Sequence, residues 1–222
     1  MTIVKLTRAH AEAAARLHIA GQPNTFLTSL GPDVLTVLYR VLPESAFGFG
    51  YAALADSDSA LHTSPSTIVN GFVSATSHVG RLFTEMGTRR IHQFLPPLCA
   101  RLVRQPTLIL RSIQTLLYPL LVAQDQEKSP GATAELLSIM VAPDARNQGI
   151  GAQLLQALLA ECNLRQIAGL DVTVDADNAG ARRFYERHQF RLAHQFKLYG
   201  RAMCSYQMPI VPINGREMPS GN

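Results

Sequence analysis

The chain has 222 residues, 47% of them hydrophobic and 16% charged, with 20 Lys+Arg against 16 Asp+Glu. That length is enough for a core that needs neither disulfides nor a structural metal, and the low charge excludes a disordered chain. The formal net charge of +4 is concentrated in residues 81–122, where six arginines and no lysine accompany one acid, Glu85. A nucleic-acid binder would cluster or spread its basic residues more heavily, so no nucleic-acid partner is expected.

In chain order, residues 2–6 read as a short strand, and Thr7 as the N-cap of a helix running to about Ala20. Pro32 followed by Val34, Leu35, Val37, Leu38 and Val41 reads as a second amphipathic helix ending near Pro43. Residues 47–55 and 68–75 are β-prone runs around a polar turn at 56–66, hence a hairpin. The arginine-rich stretch reads as helical pieces cut by prolines. One of them is 107–117, where Leu110, Ile113 and Leu117 share a helical face. Residues 123–132 read as a loop. A strand at 136–141, a helix at 149–162, a strand at 170–174 and a helix at 179–188 follow. Two strands at 190–199 and 202–209 close the pattern, and 212–222 reads as a loose tail.

The most apolar stretch, 96–123, is broken by Arg101, Arg104, Pro106, Arg111 and Pro119. It falls short of the ~20 uninterrupted apolar residues that a spanning helix needs. The N-terminus lacks the apolar region of a signal peptide. The spacing of Cys99, Cys162 and Cys204 fits no zinc or redox pattern. A cytoplasmic protein with reduced thiols and no bound metal is the expectation.

The informative stretch is LLSIMVAPDARNQGIGAQLLQALL, residues 136–159. A strand runs into the turn Arg146-Asn147-Gln148-Gly149-Ile150-Gly151, and a helix opens there. Amides at a helix N-terminus are unpaired and carry partial positive charge, glycines allow close approach, and Arg146 adds a full charge. The pattern suits a phosphate, though a glycine pair opening a helix serves equally as a plain turn. Neither a G-x-G-x-x-G nor a G-x-x-x-x-G-K-[ST] motif is present, which removes Rossmann and P-loop readings.

With its downstream context this stretch resembles the GCN5-related N-acetyltransferase (GNAT) family. Arg146, Gly149 and Gly151 fill the signature [RQ]-x-x-G-x-[GA], preceded by Val141 and Pro143. Asn178, Ala181, Phe184, Tyr185 and Phe190 fill N-x-x-A-x-x-F-Y-x-x-x-G-F, with Gln189 standing where glycine is usual. The resemblance covers residues 134–192 and extends through element order over the chain. It implies an α/β (α+β) fold with a mixed, mostly antiparallel central sheet flanked by helices. A single acetyltransferase domain would span 1–210, with its acetyl-CoA-binding core at 134–192. A helical arginine-rich insertion at 80–132 would lie between the third and fourth strands, and 211–222 would form the tail.

The implied activity is an acetyl-CoA-dependent N-acetyltransferase acting on a small-molecule amine by direct attack. The backbone of Ile139, Met140 and Val141 would pair with the pantetheine arm. The amides of Gln148, Gly149, Ile150, Gly151 and Ala152, beside Arg146 and Asn147, would hold the pyrophosphate. Asn178 would meet the pantetheine, and Tyr185 would sit near the thioester sulfur as the acid. Glu135 is the candidate base. It lies eleven residues before Arg146, the offset of the catalytic Glu in histone-type members, and equally reads as a solvated strand-end carboxylate. His18, His92, His188, His194, Asp175 and Asp177 are weaker candidates, and no cysteine suggests a covalent acetyl-enzyme.

Two further readings stay open. The protein is a longer-chain acyltransferase using acyl-CoA or acyl-carrier protein, or a CoA-binding regulator without turnover. The arginine-rich stretch at 81–122 either packs over the sheet with its arginines solvated, or docks an acidic carrier protein or a membrane surface. The last strands offer a homodimer edge. The sequence does not identify the acceptor amine.

Overall fold

In the computed structural model, residues 1–23, 25–55, 68–104, 133–198 and 200–210 are described. Among these residues seven strands form one sheet: β1 (Thr2–Lys5), β2 (Gly48–Leu54), β3 (Val69–Thr76), β4 (Thr133–Val141), β5 (Gly169–Asp175), β6 (Arg191–Leu198) and β7 (Arg201–Pro209). Their order is β1-β2-β3-β4-β5-β7-β6. Every adjacent pair is antiparallel except β4 and β5. The mixed, mostly antiparallel sheet expected from the sequence is the one found.

Helices cover both faces of this sheet. One face carries α1 (Ala11–Gly21), α2 (Phe26–Ser29), α3 (Pro32–Val41), α4 (Val79–Thr88) and α5 (Ile91–Arg104). The other carries α6 (Ile150–Leu164) and α7 (Ala179–Arg187). On α6, Leu154, Leu155 and Leu158 are fully buried in one cluster with Val73, Leu136 and Val172 of the sheet. Each such side chain contributes about 1.5–3 kcal/mol by leaving water. On the opposite face Ala14, Leu35 and Val41 share a cluster with Ala52, Phe72 and Met140.

Two features of β4 shape everything downstream. First, its register with β3 runs Ser74↔Ser138 and then Ala75↔Leu136, so Leu137 is an extra residue. A bulge of this kind inverts the alternation of side chains. Ala134 and Leu136 join the α6 cluster before it, and Ile139 and Val141 pack there after it, while Leu137 and Met140 turn toward α1 and α3. Second, the β4–β5 ladder covers only Thr133–Leu136 against Gly169–Val172. Beyond it β4 stays with β3 to Val141, and β5 stays with β7 to Asp175. The strands part, and among the described residues no strand pairs with the β5-facing edge of residues 137–141.

The arginine-rich stretch departs from its reading. The helix α5 runs through Pro96 and Pro97 without a break, although each proline removes a helical N–H. Three arginines of the stretch also touch the rest of the fold, while Arg81 and Arg89 stay exposed. Arg90 Nη1 lies 2.8 Å from Glu44 Oε2, Arg101 Nε donates to the Ser29 carbonyl at 3.1 Å, and the Arg81 guanidinium sits over the Phe47 ring. The predicted helix at 107–117, the loop at 123–132, the turn at 56–66 and the tail at 212–222 lie outside the described residues. No helix among the described residues is long and apolar enough to cross a membrane. At the N-terminus, Arg8–His10 form a 3-10 turn before α1, held where the Thr7 N–H donates to His10 Nδ1 at 3.1 Å.

The odd residue of the second motif resolves simply. Gln189 adopts φ 68°, the left-handed conformation that glycine would supply. The Phe190 N–H then reaches the Tyr185 carbonyl at 3.0 Å and closes α7. A side chain in this region costs about 1 kcal/mol, and that of Gln189 is exposed. Gln189→Gly should therefore raise the free energy of unfolding by about 1 kcal/mol. In urea titrations the midpoint should rise with an unchanged slope; a lower midpoint would contradict this account of the turn.

Candidate active site

The chain leaves β4 at Val141 and makes a 3-10 turn at Pro143–Ala145. Asn147 (φ 62°) and Gly149 (φ 77°) are both left-handed, and they swing the backbone into the N-terminus of α6. The first helical bond of α6 is Gln153 N–H to the Gly149 carbonyl, 3.1 Å. The cap residue Gly149 offers no side chain to the amides of Ile150, Gly151 and Ala152. Three donors thus converge at a helix N-terminus without a cap, in the field that favours an anion. Asn147, Gln148 and Gly149 are exposed around them.

Other side chains of the motif have jobs inside the fold. Arg146 folds back so that its Nε donates to the Val141 carbonyl at 3.3 Å, which sets its charge at the end of β4. Gln148 Nε2 donates to the Asp144 carbonyl at 3.3 Å. Gly151 has a packing reason: a Cβ there would stand 3.3 Å from the Phe184 ring of α7. The two motif blocks are therefore in contact through Gly151 and Phe184.

Ile139, Met140 and Val141 lie on the part of β4 whose second edge is open. The Met140 backbone points to β3, whereas that of Ile139 and Val141 faces the gap between β4 and β5, where the Val141 carbonyl accepts from Arg146 Nε. The side chain of Met140 is buried beneath α1, and those of Ile139 and Val141 pack on the α6 side. Asn178 caps α7, its Oδ1 accepting from the Ala181 N–H at 3.0 Å.

Tyr185 is 5% exposed and packed among Phe184, Phe190 and Tyr206 in the α6/α7 cluster. Burial pushes its phenol well above the ordinary range, so it keeps its proton at neutral pH. Glu135 is half-buried and registers with Thr76 on β3 and Asp171 on β5. Its neighbours Ala134 and Leu136 belong to the α6 cluster, so Glu135 points to the α1/α3 face. Glu135 and Tyr185 thus stand on opposite faces of the sheet, Glu135 within the stretch where β4 is still paired with β5.

Of the weaker candidates, His188, Asp175 and Asp177 make contacts within the fold. His188 Nδ1 bonds the Phe184 carbonyl at 2.7 Å. His92 and His194 are exposed. Asp175 Oδ1 accepts from the Asp177 N–H at 2.9 Å, and Asp175 pairs with Arg201. Burial pushes the Cys162 thiol up to about 12, which leaves it inert as a nucleophile. Among the described residues no group of three or more His, Cys, Asp or Glu could hold a metal ion.

Residues 118–190 match the family model described as the acetyltransferase (GNAT) family. No curated protein sequence matches the chain. Solved structures share the fold at low identity. A Desulfovibrio desulfuricans protein assigned to the GNAT family is 16% identical, with 95% of this chain and 100% of that one covered and a TM-score of 0.57. For yncA of Salmonella typhimurium, solved with its cofactor acetyl-CoA, the values are 12%, 96%, 96% and 0.58. For NAA60 of Arabidopsis thaliana, solved with a bisubstrate analogue, they are 16%, 95%, 100% and 0.58.

One cluster escaped the sequence reading. His18 on α1 and Tyr39 on α3, both 1% exposed, meet at 2.6 Å between Nδ1 and the hydroxyl. The Tyr39 hydroxyl also donates to Ser138 Oγ on β4 at 3.3 Å. Burial lowers the His18 imidazole from 6.5 to about 4. The folded state holds it neutral, so its contribution is complete above pH 6.5 and lost as the pH falls through about 4. At pH 4 the loss is about 3 kcal/mol. His18→Asn, which keeps a partner for Tyr39, should flatten this component. Urea unfolding of native protein and variant at pH 7 and pH 4 should show the native protein losing about 3 kcal/mol more. Equal losses would contradict the buried neutral imidazole.

Proposed function

We propose, from the match of residues 118–190 to the acetyltransferase (GNAT) family model, that the chain moves an acetyl group from acetyl-CoA directly to the amine of a small molecule. The observation that carries this reading is one continuous stretch, residues 137–152. It presents an open strand edge and then three uncapped helix amides. An extended arm ending in a pyrophosphate matches both parts: the arm pairs with the strand, and the anion takes the amides.

In this reading the pantetheine runs along Ile139, Met140 and Val141, with the backbone of Ile139 and Val141 facing it. Gln148, Gly149, Ile150, Gly151 and Ala152 hold the pyrophosphate, with Asn147 shaping the loop and Arg146 adding charge beside it. Asn178 meets the arm from the start of α7. Bound there, acetyl-CoA supplies an acyl carbonyl activated as a thioester. Glu135, on the α1/α3 face, takes the proton of the acceptor ammonium. Tyr185, on the α6/α7 face, gives its phenolic proton to the departing thiolate. Burial keeps that phenol protonated at neutral pH.

The direct test is calorimetric binding of acetyl-CoA, with free-thiol release measured across a panel of small amines. Native protein should bind and turn over. Gly149→Asp should lose binding, because it places a carboxylate at a left-handed position beside the anion site. Absence of binding by the native protein would overturn the reading, and release with long-chain donors alone would favour a longer-chain acyltransferase. Tyr185→Phe should lower kcat by about 100-fold with little change in acetyl-CoA affinity. Glu135→Gln should flatten the basic rise of the pH–rate profile. An unaltered rate or profile removes the corresponding residue from its role.

A further inference from the structure

The acetyl-transfer scheme leaves the His18–Tyr39–Ser138 chain unused, and its position gives it a task. Among the described residues, 138–141 of β4 have a strand partner on one edge only, and they follow directly on a bulge. Backbone in that situation is free to shift unless side chains pin it. Here the α1/α3 side grips two residues. Tyr39 holds Ser138, and the end of α1 lies so close to Met140 that a Cβ on Gly21 would come within 2.5 Å of its sulfur. Tyr39 is itself fixed from two directions, by His18 at 2.6 Å and by the edge-on Phe72 ring with centroids 4.9 Å apart.

Stability alone does not account for this chain. A phenylalanine at position 39 would fill the same apolar space without burying a hydroxyl. The cluster is also incompletely satisfied: His18 Nε2 and Ser74 Oγ, the latter on the β3 residue paired with Ser138, are buried without a hydrogen-bond partner among the described residues. A buried polar network with unpaired members costs more than an apolar core. A cost kept at the point where the strand edge opens indicates placement of that edge.

We propose that Tyr39 is a positioning residue for the open edge of β4: its hydroxyl, oriented by His18, fixes Ser138 and with it the backbone of residues 138–141. This rests on the acetyl-transfer reading for its catalytic consequence, because that backbone is where the donor arm lies. The strand placement itself does not rest on it. The helices that would face the acceptor thus also set the alignment of the thioester.

Tyr39→Phe, Ser138→Ala and the double variant test this. Amide hydrogen exchange is followed over residues 137–141, with residues 169–175 of β5 as the internal reference. Each single variant should speed exchange over 137–141 by about tenfold while leaving the reference unchanged. The double variant should exchange no faster than Tyr39→Phe, since both single changes break one linkage. With the acceptor found in the amine panel, kcat should fall about tenfold while acetyl-CoA affinity stays within about twofold. Exchange unchanged over 137–141, or raised equally in both segments, would overturn the proposal, because a merely structural contact loosens the fold as a whole. A kcat that holds while local exchange rises would also overturn it. If native protein binds no acetyl-CoA, the acetyl-transfer reading fails, and the exchange comparison still decides the placement of the strand.

Discussion

The site depends on the parting of β4 and β5. The two strands are paired in parallel only from Thr133 to Leu136, and each then follows its other neighbour, β3 or β7. An unpaired strand edge inside a sheet is costly, because its N–H and C=O groups lose their partners. In this chain the cost is placed just before the turn that leads to the N-terminus of α6. Two sets of unsatisfied backbone groups therefore stand end to end, one along a strand and one around a helix start. A ligand that is extended at one end and anionic at the other offsets both.

The two faces of the sheet divide the labour around this opening. The α6/α7 face is an apolar cluster that buries Tyr185 and keeps its phenol protonated. The α1/α3 face carries the mixed core in which His18, Tyr39, Ser74 and Ser138 lie among aliphatic neighbours. The bulge at Leu137 joins these roles. Without it, the alternation set by Ala134 and Leu136 would put Ser138 and Met140 on the α6 side, and the contacts with Tyr39 and Gly21 could not form.

The sequence made the second half of the chain readable, because its information is local. Gly149 and the helix it opens, the strand before it, and the helix at 179–187 all carry patterns within a few residues. What stayed hidden depends on contacts between distant segments. Tyr39 and Ser138 are 99 residues apart, and nothing in either local pattern announces their bond. The bulge was illegible because LLSIMV is apolar at almost every position, so there is no alternation whose break could be seen. Gly151 was read as room for a ligand, yet its smallness also seats Phe184, a neighbour from another helix. In α5, prolines were read as breaks, while the helix continues through Pro96 and Pro97 with Phe94 against the core and Arg101 bonded to Ser29.

The central claim is that the open edge of β4 and the first amides of α6 act as one ligand site. Hydrogen exchange of the native protein with and without acetyl-CoA tests it most directly. The account predicts that saturating acetyl-CoA slows exchange over residues 139–141 and over residues 150–152 together, at the same ligand concentration. Protection of only one of these segments, or of neither, would contradict it.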